Sequence, residues 1–182
     1  MYEKNDVIGM DKINVRAYEA LYPTPVVLVS SKEKDIENII TLAWVGTVCS
    51  APPMVSISIR PSRFSHGIIT RTKEFVVNVP SKSLLKEVDY CGVASGKTED
   101  KWSHCKFTKV ASKHVNVPYI HECPVTFECK VKEIVKCGSH DVFIAEILLV
   151  HQDKNIEHLD PIVYVQGEYW SLGEKIGSYG AV

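Results

Sequence analysis

Along residues 54–59 (MVSISI) apolar and polar positions alternate strictly, with Val55, Ile57 and Ile59 on one face and Ser56 and Ser58 on the other. A period of two predicts a half-buried strand. Residues 25–30 (PVVLVS) and 74–79 (EFVVNV) are apolar runs of strand length, and 37–50 (ENIITLAWVGTVCS) reads as one longer strand kinked at Gly46. Residues 64–72 (FSHGIITRT) predict a short helix with Ile68 and Ile69 facing in. A second helix is expected over 81–91, with Ser81 as N-cap and Leu84, Leu85 and Val88 at helical spacing. From 92 to 117 the periodicity lapses, which marks a long excursion with one short helix at most, and long excursions in compact domains are often functional. Residues 125–131 (VTFECKV) alternate again as a half-exposed strand, and 143–150 (FIAEILLV) read as a more buried one. Residues 136–141 (KCGSHD) supply a hairpin turn between them, and 162–169 (IVYVQGEY) read as the last strand before a glycine-rich tail. Many short strands with turn signals between them argue for a closed or nearly closed, mainly β barrel.

The pattern after Ile59 raises a chemical question. Arg60, Pro61, Ser62, Arg63, Phe64 and Ser65 gather two guanidinium groups and two hydroxyls in six residues. Such a cluster either faces solvent as a turn or holds an anion.

Composition narrows the field. The chain has 182 residues, 45% hydrophobic and 24% charged, enough for one sizeable core, and one domain over 1–182 is the expectation. A net charge of −1 with scattered Lys and Arg offers no footprint for nucleic acid or an anionic membrane. The apolar runs fall well short of the roughly 20 residues that span a bilayer, and the amino terminus (MYEKNDVIGMDK) carries charge where a signal peptide needs an apolar core. A cytoplasmic protein is expected. Six cysteines lack any Cys-x-x-Cys spacing, so reduced thiols, most of them buried, are expected, with no metal site.

Four ordered stretches, NIITLAWVGTVCSAPPMVSISIRPSRFSH, DYCGVASGKTEDKW, GSHDVFIAEI and YWSLGEKIGSYG, together resemble the flavin reductase-like proteins with the FMN-binding split barrel, and within them the flavoredoxin branch. The resemblance covers almost the whole chain. It implies a Greek-key split β-barrel with a few short helices, a homodimer, and FMN in a groove near the subunit interface.

Against that implication the candidate residues fall into four groups. A flavin phosphate suits Arg60, Ser62, Arg63 and Ser65, because guanidinium forks and hydroxyls make charge-assisted bonds to phosphate, and Phe64 among them is taken with the same flavin-binding run. The resemblance places Trp44, Val45, Gly46 and Thr47 along the flavin ring with Cys49 close by; read without it, Trp44 is a core aromatic of a long strand and Cys49 a small buried hydrophobe. It also makes 91–101 a wall of the flavin site, reaching it from the partner subunit, with Ser95, Gly96, Asp100 and Lys101 as its polar positions; the alternative is a helix terminus stopped at Gly92 or Gly96. His140, in the turn before an apolar strand, is implied to lie near flavin and nicotinamide, whereas a lone turn histidine is usually solvated. The other six histidines, His158 among them, receive no role.

Three functions of different kinds follow. The first is an NAD(P)H-dependent flavin reductase, taking NADH or NADPH without a Rossmann fingerprint, since Gly-x-Gly-x-x-Gly is absent. The second is an electron carrier with tightly held FMN and a redox partner protein as donor. The third is a non-redox flavin-binding protein.

Overall fold

A computed structural model describes residues 12–154, 156 and 159–180. The charged stretch at residues 1–11 and His158 lie outside the described residues. In chain order come β1 (Thr24–Pro25), β2 (Val27–Glu33), β3 (Ile36–Leu42), β4 (Val45–Ser50), β5 (Pro53–Ile59), α1 (Phe64–Thr72) and β6 (Glu74–Val79). Helices α2 (Leu85–Val93) and α3 (Lys101–Cys105) follow, then the short strands β7 (Lys109–Val110) and β8 (Tyr119–Ile120). Two hairpins end the series: β9 (Val125–Lys136) with β10 (Asp141–Gln152), and β11 (Ile162–Val165) with β12 (Glu168–Ser171).

Seven strands pair antiparallel in the order β3-β2-β6-β9-β10-β5-β4. β3 and β4 stand at opposite ends of that order, yet only Ala43 and Trp44 separate them in the chain, so the sheet curls until its ends meet. The result is a mainly β barrel with a few short helices. Its seam lies at Trp44, whose carbonyl accepts from the Ser58 N–H at 3.0 Å.

The barrel interior is filled by alternate residues of its strands, among them Val29, Ile57, Phe75, Val77, Cys129 and Phe143. Phe75 and Phe143 are fully buried, and burying each side chain stabilises the fold by about 1.5–3 kcal/mol. A second apolar layer, with Leu28, Ile39, Val88, Trp102, Ile120 and Ile162, packs α2 and α3 against the outer face of β2 and β3. This explains why 25–30 is a continuous apolar run: β2 is buried on both faces.

Several elements depart from the sequence reading. The expected strand over 37–50 is two strands, broken at Ala43–Trp44 and not at Gly46, because the chain leaves β2 as partner and takes up β5 there. Ser81 does not cap a helix; its hydroxyl meets that of Ser83 at 2.6 Å, a 3-10 turn (Lys82–Leu84) intervenes, and α2 begins at Leu85. The last strand is a hairpin, turned at Gln166 and Gly167, whose φ of 48° and 98° are the paired left-handed values of a two-residue β-turn. β9 is not half-exposed over its first turns, since Thr126 and Glu128 are buried beneath the 111–120 excursion. β10 alternates in burial, with Phe143 and Ala145 in and Val150 exposed, and is not uniformly buried.

Glu128 is one of the residues that hold the excursion in place. Fully buried, its carboxylate accepts from the N–H groups of Lys113 (2.8 Å) and His114 (2.6 Å) and from His151 Nε2 (2.7 Å). Burial pushes the carboxyl up, but these hydrogen bonds and the His151 ring together hold it below the usual carboxylate range.

Candidate functional site

At the barrel seam, two cavities of about 420 Å³ and 250 Å³ share Ile40, Arg60 and Arg63 as common walls. They form one groove with two chemically different ends.

The smaller end is cationic. β5 stops at Ile59, and the turn that follows places Arg60, Ser62 and Arg63 on its rim, where α1 begins. Neither guanidinium makes a hydrogen bond or ion pair with any described residue, and both are exposed. Arg63 caps α1 without a side-chain bond and the first turn carries no acidic residue, so the positive end of the helix dipole opens toward the cavity. Lys101 lies across from them, 3% exposed, with Nζ donating to the carbonyls of Ile39 and Cys91 at 2.8 Å each. Burial lowers its pKa and Arg63 adds to that effect, while the thiols of Cys91 and Cys105 oppose it. A buried ammonium with no carboxylate partner is costly. An anion in this cavity relieves it.

Gly96 closes the same end. A Cβ there would stand 2.1 Å from Asn38 Oδ1 and 2.8 Å from Phe64 Cδ1, so the loop from α2 to α3 approaches α1 and β3 as only glycine permits. Asn38 is itself fixed by donating to Ser65 Oγ at 2.8 Å.

The larger end is aromatic. Trp44 and His140 are in contact, ring centroids 4.5 Å apart and tilted by 42°, and Tyr18, Tyr22 and Tyr164 complete its walls. His140 Nδ1 lies 2.9 Å from Ser139 Oγ. Burial lowers the His140 pKa and the Arg60 charge lowers it further, which favours neutral imidazole at pH 7.

Of the residues singled out from sequence, Trp44, Arg60, Ser62, Arg63, Phe64, Ser95, Gly96, Lys101 and His140 line the groove. The others do not. Val45 packs toward the barrel interior, Gly46 and Thr47 are exposed along β4, and Cys49 donates to the Ala51 carbonyl at 3.5 Å. Ser65 is fully buried, its hydroxyl tied to Asn38 and, at 3.4 Å, to Ser31. Asp100 caps α3, accepting from the N–H and Oγ of Ser103. The 91–101 segment walls the cationic cavity of its own chain. Asn38 and the tyrosines carry no sequence signal that marks them, since each comes from a different element brought in by barrel closure. Among the described residues no three metal-ligating side chains cluster.

The flavin reductase like domain model matches residues 19–173. An uncharacterised protein of Archaeoglobus fulgidus is 41% identical over 137 residues, covering 75% of this chain and 76% of that one. Among solved structures, the flavoredoxin of Desulfovibrio vulgaris (Miyazaki F) superimposes with a TM-score of 0.86 at 30% identity, over 94% of this chain and 98% of that one. The flavoredoxin of Methanosarcina acetivorans does so with a TM-score of 0.87 at 27% identity, over 94% and 97%.

Proposed function

The chain belongs to the flavin reductase-like family, and from that premise we propose that it is an FMN-dependent oxidoreductase that takes electrons from NADH or NADPH. The observation that carries this reading is the groove itself, with three cations and a helix N-terminus at one end and an aromatic slot at the other. A flavin mononucleotide has matching ends: a phosphate of about −1.5 to −2 charge and a flat, largely apolar ring. Arg60 and Arg63 would grip the phosphate by charge-assisted bonds, Lys101 would offer its remaining N–H, and the α1 amides would complete the cradle. Trp44 and His140 would border the ring.

Bound FMN supplies two-electron chemistry, accepting hydride from a nicotinamide. The protein's part is to orient the partners and exclude water. A neutral His140 at the mouth of the ring end donates or accepts one hydrogen bond, which is enough to fix a nicotinamide carboxamide or ribose over the ring. It has no need to move a proton for hydride transfer itself.

Homodimer formation is part of the proposal. Trp170, Leu172, Ile176 and Tyr179 are all more than half exposed, and apolar exposure of that extent along one segment favours a second copy as its cover.

A second reading is favoured by the likeness to two flavoredoxins over most of the chain: an electron carrier that receives electrons from a protein. Anaerobic mixing with NADH or NADPH separates the two. Rapid bleaching of the flavin absorbance supports the reductase, no bleaching by either nucleotide transfers the role to the carrier, and a protein that binds no flavin defeats both.

A further inference from the structure

Beneath the cationic cavity lie two thiols that the redox reading does not use. Cys91 is in the last turn of α2 and Cys105 ends α3, and their Sγ atoms stand 3.8 Å apart. A disulfide requires about 2.05 Å, so the sulfurs must close by roughly 1.8 Å. Cys91 is fully buried, while Cys105 is partly open to solvent and is the one a small oxidant reaches first. The geometry couples this pair to the anion site, because the Cys91 carbonyl is one of the two acceptors holding Lys101 Nζ, and Cys91 and Gly92 also line the cavity.

We propose that Cys91 and Cys105 are a peroxide-responsive pair whose reversible disulfide shifts the end of α2, draws Lys101 from its place and weakens the hold on the flavin phosphate; that last effect rests on the FMN reading above. The chemistry balances with hydrogen peroxide as the oxidant. Cys105 sulfur attacks one peroxide oxygen, the O–O bond breaks, and a sulfenic acid and water result. Cys91 sulfur then attacks the Cys105 sulfur, the S–O bond breaks, and the hydroxyl leaves as water with the Cys91 proton. Two thiols lose two electrons and peroxide gains them.

Burial pushes the Cys91 thiol up, the neighbouring Cys105 adding to it, and burial pushes Cys105 up as well. Burial thus disfavours thiolate at both sulfurs, which slows their reaction with peroxide. Lys101 works against the shift at both sulfurs and is the cation available to a forming thiolate.

The test uses the full chain, flavin removed, reduced and then treated with hydrogen peroxide. Peptide mapping without reductant should show Cys91 joined to Cys105 with the loss of two hydrogens. FMN titration should show a Kd raised on the order of fivefold or more, restored by dithiothreitol. Cys105→Ser should bind FMN like the reduced wild type and fail to respond to peroxide, and Cys105→Ala repeats that control without adding a hydroxyl. Oxidation of the two thiols separately, a bond from either to the nearby Cys123, or a Cys91–Cys105 disulfide that leaves the FMN Kd unchanged overturns the proposal. If the reduced protein binds no FMN, the flavin reading fails on its own, and the peptide map still decides whether the disulfide exists.

Discussion

Replacing Gly96 by alanine adds one methyl group where the groove has no room for it. The new Cβ would lie 2.1 Å from Asn38 Oδ1, 2.5 Å from Asn38 Cγ and 2.8 Å from Phe64 Cδ1. None of these is the free end of a flexible side chain. Asn38 is 3% exposed and donates to the buried Ser65 hydroxyl at 2.8 Å, so turning it away breaks that bond, worth about 0.5–1.5 kcal/mol net. The other relief is for the loop between α2 and α3 to lift from α1, which opens the cationic cavity. Overpacking of this kind costs about 1–3 kcal/mol, and in a chain of this size each kcal/mol lowers the thermal midpoint by roughly 2–4 °C. We expect Gly96→Ala to melt several degrees lower and to bind FMN at least about fivefold more weakly. Differential scanning fluorimetry with flavin-fluorescence titration measures both. An alanine variant that melts and binds like wild type refutes the steric reasoning and removes Gly96 from the site.

Arg60→Ala or Arg63→Ala should weaken FMN by about 1.5–3 kcal/mol, the value of a hydrogen bond to a charged group, with an unchanged melting curve in the absence of flavin, since neither side chain holds another described residue; calorimetry checks it. His140→Ala should keep its FMN but lose on the order of tenfold or more in anaerobic reduction by NADH, with dithionite reduction unchanged; equal stopped-flow rates would return His140 to the solvent. Glu128 gives a pH dependence. Its folded pKa is depressed, so its stabilisation is complete above the unfolded value of about 4.3 and is lost as pH falls through the folded one. Urea midpoints should therefore decline in acid, and Glu128→Gln should lower stability at pH 7 while flattening that decline.

The barrel was legible where one face is apolar and the other polar. Residues 54–59 and 64–72 gave β5 and α1 directly, because the alternation of Val55, Ile57 and Ile59 and the spacing of Ile68 and Ile69 record a single buried face. Legibility failed where tertiary contacts decide. The break at Trp44 has no local signal, since it comes from closure of the sheet, and the burial of Glu128 depends on a loop whose backbone it satisfies. In the site, the clustered Arg60, Ser62 and Arg63 announced themselves by composition, while Ser65 in the same cluster turned inward because the second residue of α1 faces the core. Gly46, Thr47 and Cys49 were placed with Trp44 by the family resemblance; the strand that carries them runs away from the groove. Asn38 sits beside Glu37 at the edge of an apolar run, and nothing in its neighbours marks it or points to Ser65.

The central claim is that the cationic end of this groove holds the phosphate of FMN. Calorimetric titration of the flavin-free protein with FMN and with riboflavin, identical but for the phosphate, tests it most directly. The account predicts that FMN binds more tightly by tenfold or more, the scale of one or two charge-assisted bonds at about 1.5–3 kcal/mol each, with the difference shrinking in Arg63→Ala. Equal affinities for the two flavins would contradict it.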